Sequence, residues 1–211
     1  MTVDNMSPKN AETLSLQGLK QILRRRILER RSRVIAGLRG QYSAAIAQRI
    51  LQLPEYRNAQ TVLAYMHFGA EFESEIFVRQ TLADGKTLLL PRVNTATREL
   101  ELYRVEDVDA QLAPGAYGIR EPVAESCVRV DAPQPDFILL PGVAFGCQGE
   151  RLGYGGGFYD KLLAQLLAMQ RPALVAGAFE MQVVADIPME ATDQRIDWLV
   201  TENETIRCVS D

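Results

Sequence analysis

A chain of 211 residues with 47% hydrophobic side chains and a net charge of −4 carries enough apolar material for one sizeable core. The small negative charge argues against a nucleic-acid surface spread over the whole molecule. Three dispersed cysteines with no C-x-x-C pair argue against a disulfide framework or a zinc site. No apolar leader and no run of about eighteen apolar residues occurs, so a cytoplasmic protein without a membrane segment is expected.

Residues 1–15 read as a flexible tail, and 16–211 as a single domain, because no Pro/Gly/Ser-rich linker divides them. Leu16, Leu19, Leu23, Ile27 and Val34 form an apolar stripe that predicts a helix over 16–38, ended by Gly40. Ser43 is a suitable N-cap for a second helix to about residue 53. Residues 61–65 read as a buried strand and 74–83 as a helix, closed by Asp84-Gly85 before a strand over 87–90. This alternation is βαβ in character.

Glu99 to Arg104 alternate polar and apolar side chains, so an edge strand in an antiparallel excursion is expected after the turn at Asn94–Thr97. Residues 106–135 show no regular pattern. The apolar run Asp136 to Pro141 suits a strand buried on both faces. Tyr159, Leu162, Leu163, Leu166 and Met169 or Gln170 fall at helical spacing, and 173–177 and 198–200 read as further strands, about five or six in all.

Between that central strand and that helix lies Arg151-Leu-Gly-Tyr-Gly-Gly-Gly-Phe-Tyr-Asp160. Glycines let a ligand approach main-chain N–H groups, and a helix N-terminus adds unpaired donors, which together suit a phosphate. The segment lacks the lysine and hydroxyl residue of a P-loop and does not fit G-x-G-x-x-G. Lys20 and Arg24 lie four apart at the border of the first helix's stripe, so both can reach one anion. The other arginines of that helix, Arg25, Arg26, Arg30, Arg31 and Arg33, read as a solvated basic face.

The string Arg151–Asp160, preceded by Leu140-Pro-Gly-Val-Ala-Phe145, closely resembles the signature of the 5-formyltetrahydrofolate cyclo-ligase family. Lys20-Gln-Ile-Leu-Arg24, Glu71-Phe-Glu-Ser74, Gly118-Ile-Arg-Glu-Pro122 and Asp193-Gln-Arg-Ile-Asp197 follow the family's order, across roughly residues 16 to 201. The resemblance implies a three-layer α/β fold with a mostly parallel central sheet flanked by helices, of the type shared with sugar-phosphate isomerases and CoA-transferases. It also implies ATP- and Mg²⁺-dependent conversion of 5-formyltetrahydrofolate to 5,10-methenyltetrahydrofolate. A monomer with a small-molecule substrate and no nucleic-acid partner is expected.

Carried over by residue, the resemblance implies that Lys20, Arg24 and Arg151 contact ATP and neutralise its charge. Gly153, Gly155, Gly156, Gly157, Phe158 and Tyr159 would complete the nucleotide site. Met66, Glu71, Tyr154 and Phe158 would contact the folate, and Asp160 and Asp193 would hold Mg²⁺. Each has a plainer reading: a surface ion pair for Arg151, core packing for Met66 and Tyr159, a helix-dipole residue for Asp160 and a solvated loop aspartate for Asp193. Two positions depart from the pattern, Gly146 where many members have aspartate and Phe158 where tyrosine is common.

Catalysis would then rest on positioning and charge neutralisation, with no protein nucleophile. The single histidine, His67, excludes sites that need two imidazoles, and Cys147 has no catalytic partner in the sequence. Two alternatives stay open: a related α/β enzyme acting on a sugar phosphate, and a non-catalytic folate- or RNA-binding protein on the same fold.

Overall fold

The computed structural model describes residues 15–168, 171–190 and 193–208; the expected tail, Met169 and Gln170 lie outside them, apart from Ser15. In chain order the helices are α1 (Leu16–Ser32), α2 (Ala36–Gln52), α3 (Pro54–Asn58), α4 (Glu75–Ala83), α5 (Val108–Gln111) and α6 (Phe158–Leu167). The strands are β1 (Thr61–Leu63), β2 (Thr87–Asn94), β3 (Glu99–Val105), β4 (Leu112–Pro114), β5 (Arg120–Pro122) and β6 (Val128–Arg129), then β7 (Phe137–Leu139), β8 (Ala144–Phe145), β9 (Arg151–Leu152), β10 (Ala173–Gly177), β11 (Trp198–Val200) and β12 (Thr205–Arg207).

Among the described residues the main sheet runs β12-β11-β10-β7-β1-β2-β3-β6. Strands β11, β10, β7, β1 and β2 are parallel, and β12, β3 and β6 add antiparallel edges. Alternation along each strand sends side chains to two cores. Val62, Leu88, Phe137, Leu139 and Val175 pack under α2, α3 and α4, while Leu63, Leu89, Ile138, Leu174 and Leu199 pack under α6. Three layers result, as expected, with β7 in the centre. A third cluster joins Ile27 of α1 to Val143, Ala144 and Leu152 of the β8–β9 hairpin.

Several boundaries differ from expectation. The first helix stops at Ser32, and α2 runs straight through Gly40 and Ser43. Glycine inside a helix costs only about 1 kcal/mol, less than the burial of Ile46, Ala47 and Ile50 returns. Ser43 is buried and caps nothing; its Oγ accepts from the N–H of Glu73. The Asp84-Gly85 stop holds, with Gly85 at φ +71. Asn94 Oδ1 accepts from the N–H groups of Ala96 and Thr97, which makes the expected turn into β3.

The glycine segment does not leave the central strand directly. A two-stranded hairpin, β8–β9, stands between β7 and the loop, and Gln182 pins it by donating Nε2 to the carbonyls of Gly142 and Val143 at 3.3 and 3.0 Å. Strands this short have no period to read in sequence. The same holds for β4 and β5, which pair within the segment expected to be irregular.

Candidate active site

The loop at 153–157 is built by its glycines. Gly155 and Gly157 sit at φ +95 and +71, and a Cβ at Gly156 would stand 2.8 Å from the Phe158 ring. Gly157 stands at the N-cap of α6 and has no side chain to accept from the first-turn amides of that helix, which open toward the loop. Arg24 of α1 donates Nε to Gly153 O at 2.7 Å and lays its guanidinium beside Gly155.

Arg151 leaves β9 beside the same loop. Its buried guanidinium donates Nη2 to Asp160 Oδ1 at 2.6 Å and Nη1 to Pro141 O at 3.3 Å, while its buried Nε has no acceptor among the described residues. Lys20, also buried, pairs with Asp193 Oδ2 at 2.6 Å and Glu190 at 3.4 Å. Burial alone would raise the Asp193 carboxyl. The Lys20 hydrogen bond, the Glu190 N–H and the nearby charges of Lys20 and Arg151 outweigh it and hold the group below the ordinary 3.8.

A cavity of about 420 Å³ opens against the loop. Met66, Glu71, Arg151, Gly153, Gly155, Gly156, Gly157, Tyr154, Phe158, Tyr159 and Asp160 line it, so most of the expected site residues converge there. Lys20, Arg24 and Asp193 are not in its wall; Arg24 reaches the loop at Gly153 O, while Lys20 pairs with Asp193, which lies near enough to Arg151 to feel its charge. Tyr159 packs against two core clusters, in line with its plainer reading, and also lines the cavity.

Glu71 is only 3% exposed. Ser74 fixes the loop that carries it by donating Oγ to Tyr65 O and accepting from the N–H of His67, and Gly69 turns the chain at φ +59. Glu71 Oε2 accepts from Phe68 N at 3.0 Å, and Oε1 accepts the Tyr154 hydroxyl proton. Burial raises the Glu71 carboxyl above the ordinary 4.5, against the lowering effects of Tyr154, Phe68 and Arg31. Burial likewise pushes the Tyr154 hydroxyl well above its ordinary range, with the Glu71 charge adding to it.

Sequence reasoning missed Arg31. It is 4% exposed, not solvated, and donates Nη2 to Tyr154 Oη at 2.7 Å with its guanidinium over that ring. The signal was available, because Lys20, Arg24, Ile27 and Arg31 share one helical face. Glu121, from the segment Gly118–Pro122, also lines the cavity. His67 and the cysteines stay outside it: burial keeps His67 below its ordinary 6.5 and pushes the Cys208 thiol up to about 11.

The sequence matches the profile of the 5-formyltetrahydrofolate cyclo-ligase family over residues 17–202. The chain belongs to that family. It is 26% identical over 197 residues to a mouse (Mus musculus) 5-formyltetrahydrofolate cyclo-ligase, covering 90% of this chain and 97% of that one. A probable 5-formyltetrahydrofolate cyclo-ligase of Schizosaccharomyces pombe is 29% identical, covering 78% and 86%. The structure also matches the solution structure of Aquifex aeolicus 5,10-methenyltetrahydrofolate synthetase, with a TM-score of 0.77, 35% identity and coverage of 92% and 94%.

Membership carries the family's activity, the ring closure of 5-formyltetrahydrofolate to 5,10-methenyltetrahydrofolate, with ATP as co-substrate. The mostly parallel α/β sheet agrees with it. Among the described residues no helix is long and apolar enough to cross a membrane.

Proposed function

We propose that the glycine loop, Arg151, Arg24 and Lys20 hold the polyphosphate of ATP, and that the cavity beside Glu71 takes the folate. The observation that carries this assignment is Arg151: a buried guanidinium beside the loop and the cavity, whose Nε has no acceptor among the described residues. Such a group gains most when a phosphoryl oxygen arrives. Met66, Tyr154 and Phe158 supply apolar surface for the folate rings, and Tyr159 and the loop glycines Gly153, Gly155, Gly156 and Gly157 border the nucleotide.

Mg²⁺ fits this site as a phosphate-bound ion. Among the described residues no group of three or more His, Cys, Asp or Glu side chains makes a protein cage, and Mg²⁺ commonly takes only one or two carboxylates plus phosphate oxygens and waters. Asp160, in the first turn of α6, and Asp193, held ionised beside Lys20, are the carboxylates for it. When bound, the ion neutralises charge on the polyphosphate.

The formyl group on N5 is amide-like and a poor electrophile. Its oxygen attacks the γ-phosphorus of ATP, forming a P–O bond as the bond to the bridging oxygen breaks and ADP leaves. N10 then adds to the activated carbon and loses its proton, and the C–O bond breaks to release phosphate and leave the methenyl bridge. Arg151 stabilises charge on the transferring phosphoryl group, and Arg24 and Lys20 fix the remaining phosphates from α1. Glu71 takes up a proton near the reacting group. The chain is taken to work as a monomer, which sedimentation checks.

The test is absorbance of the methenyl product, followed with and without ATP and Mg²⁺. Arg151→Lys and Asp160→Asn are expected to slow turnover about a hundredfold while their thermal midpoints move by a few degrees. Wild-type turnover in both variants sinks the assignment.

A further inference from the structure

The cavity holds a second buried carboxylate that no step above uses. Glu121, on β5, is 6% exposed and shares the cavity wall with Val93, Leu100 and Ile119. Its Oε1 accepts from Val93 N at 3.3 Å and its Oε2 from Ala116 N at 3.2 Å, both at the long end for such bonds. Among the described residues no lysine or arginine pairs with it. Its neighbour Arg120 turns the other way, to Glu75 and the carbonyl of Val108.

The β4–β5 hairpin is shaped around this group. A Cβ at Gly115 would stand 2.2 Å from Glu121 Oε2, so the chain gives up a side chain where the carboxylate sits. A buried carboxylate served only by long backbone bonds is costly unless a further donor reaches it. Glu71 differs in that both of its oxygens already have short-range partners in Tyr154 and Phe68.

We propose that Glu121 is a specificity-determining residue that receives the 2-amino and N3–H donors of the reduced pterin. Those two adjacent N–H groups lie in one plane at the spacing of a carboxylate's two oxygens, the same match that an arginine fork makes. The inference rests on the folate reading of this cavity. Anchoring that edge fixes which way the N5 formyl group faces, and it rejects any folate that lacks the donor pair, because the carboxylate would then be buried unpaired.

The experiment compares wild type, Glu121→Gln and Glu121→Asp on 5-formyltetrahydrofolate and on its 2-desamino analogue, by steady-state kinetics and by calorimetric binding. Glu121→Gln is expected to weaken binding and raise the KM of the natural folate at least tenfold, with the KM of ATP unchanged and kcat within about threefold. Wild type should disfavour the desamino analogue by a similar factor, and the variant should scarcely distinguish the two. Glu121→Asp keeps the charge but draws it back, giving a smaller loss, and it reads the same comparison if the glutamine variant does not fold. Wild-type folate binding in both variants, or undiminished discrimination against the analogue, overturns the role of Glu121. Failure of wild type itself to make the methenyl product would instead overturn the folate reading.

Discussion

Glu71 is the residue where burial and charge conflict most directly. Its carboxyl is raised above 4.5 mainly because it is buried, with Tyr154, Phe68 and Arg31 opposing. In the unfolded chain the group ionises first, so the stability it contributes is complete below about pH 4.5 and is lost as pH rises through the raised folded value. Glu71→Gln removes that dependence. The thermal midpoint of wild type should therefore fall relative to the variant between pH 4.5 and neutrality, and a constant difference across that range would contradict it. The same variant should lose folate use more than ATP binding; equal loss of both would take Glu71 out of the folate pocket. Glu71 was legible only through the motif around it, since a lone glutamate in a loop has no periodicity. What the sequence hid was the Tyr154 hydroxyl that reaches it over 83 positions.

At the scale of elements, α1 shows why an apolar stripe is an incomplete guide. Leu16 and Leu19 are 40% and 41% exposed, whereas Lys20 and Arg31 are buried beside Ile27. The helix docks through a face whose ends are cations, because it meets oxygen acceptors from three separate segments: the carbonyls of Gly142 and Gly153, the Tyr154 hydroxyl and the Asp193 carboxylate. Arg31→Ala is expected to cost about 1.5–3 kcal/mol, the range for a hydrogen bond from a charged group, and to raise the folate KM by loosening Tyr154. Arg25→Ala, on the exposed face, should stay within about 0.5 kcal/mol. Urea midpoints of the two variants decide this, and equal values would return Arg31 to the solvated face. The boundary at Gly40 failed for a related reason, since side chains from α4 and β10 pack on α2 and outweigh glycine's weak propensity.

For the molecule as a whole, β3 was readable from its alternation of polar and apolar residues, and β1, β2, β7, β10 and β11 as short apolar runs suited to a buried sheet. β4, β5, β6, β8, β9 and β12 carry no such pattern and were not read, and they include the β8–β9 hairpin that offsets the glycine loop from the sheet. That offset leaves the candidate metal and phosphate groups outside all three core clusters, at a seam between α1, the loop and the start of α6. Chelating Mg²⁺ should therefore stop product formation while circular dichroism and the thermal midpoint of the free chain stay unchanged; unfolding on chelation would make the ion structural instead. Ligand binding should act in the opposite sense. ATP with Mg²⁺ at about 100 times its dissociation constant contributes about 2.7 kcal/mol, or a rise of about 5–11 °C for a chain of this size. In the proposed site α1 contributes Lys20 and Arg24, so Lys20→Ala or Arg24→Ala should shrink that rise at fixed ATP, and an undiminished shift in both would remove α1 from the nucleotide site.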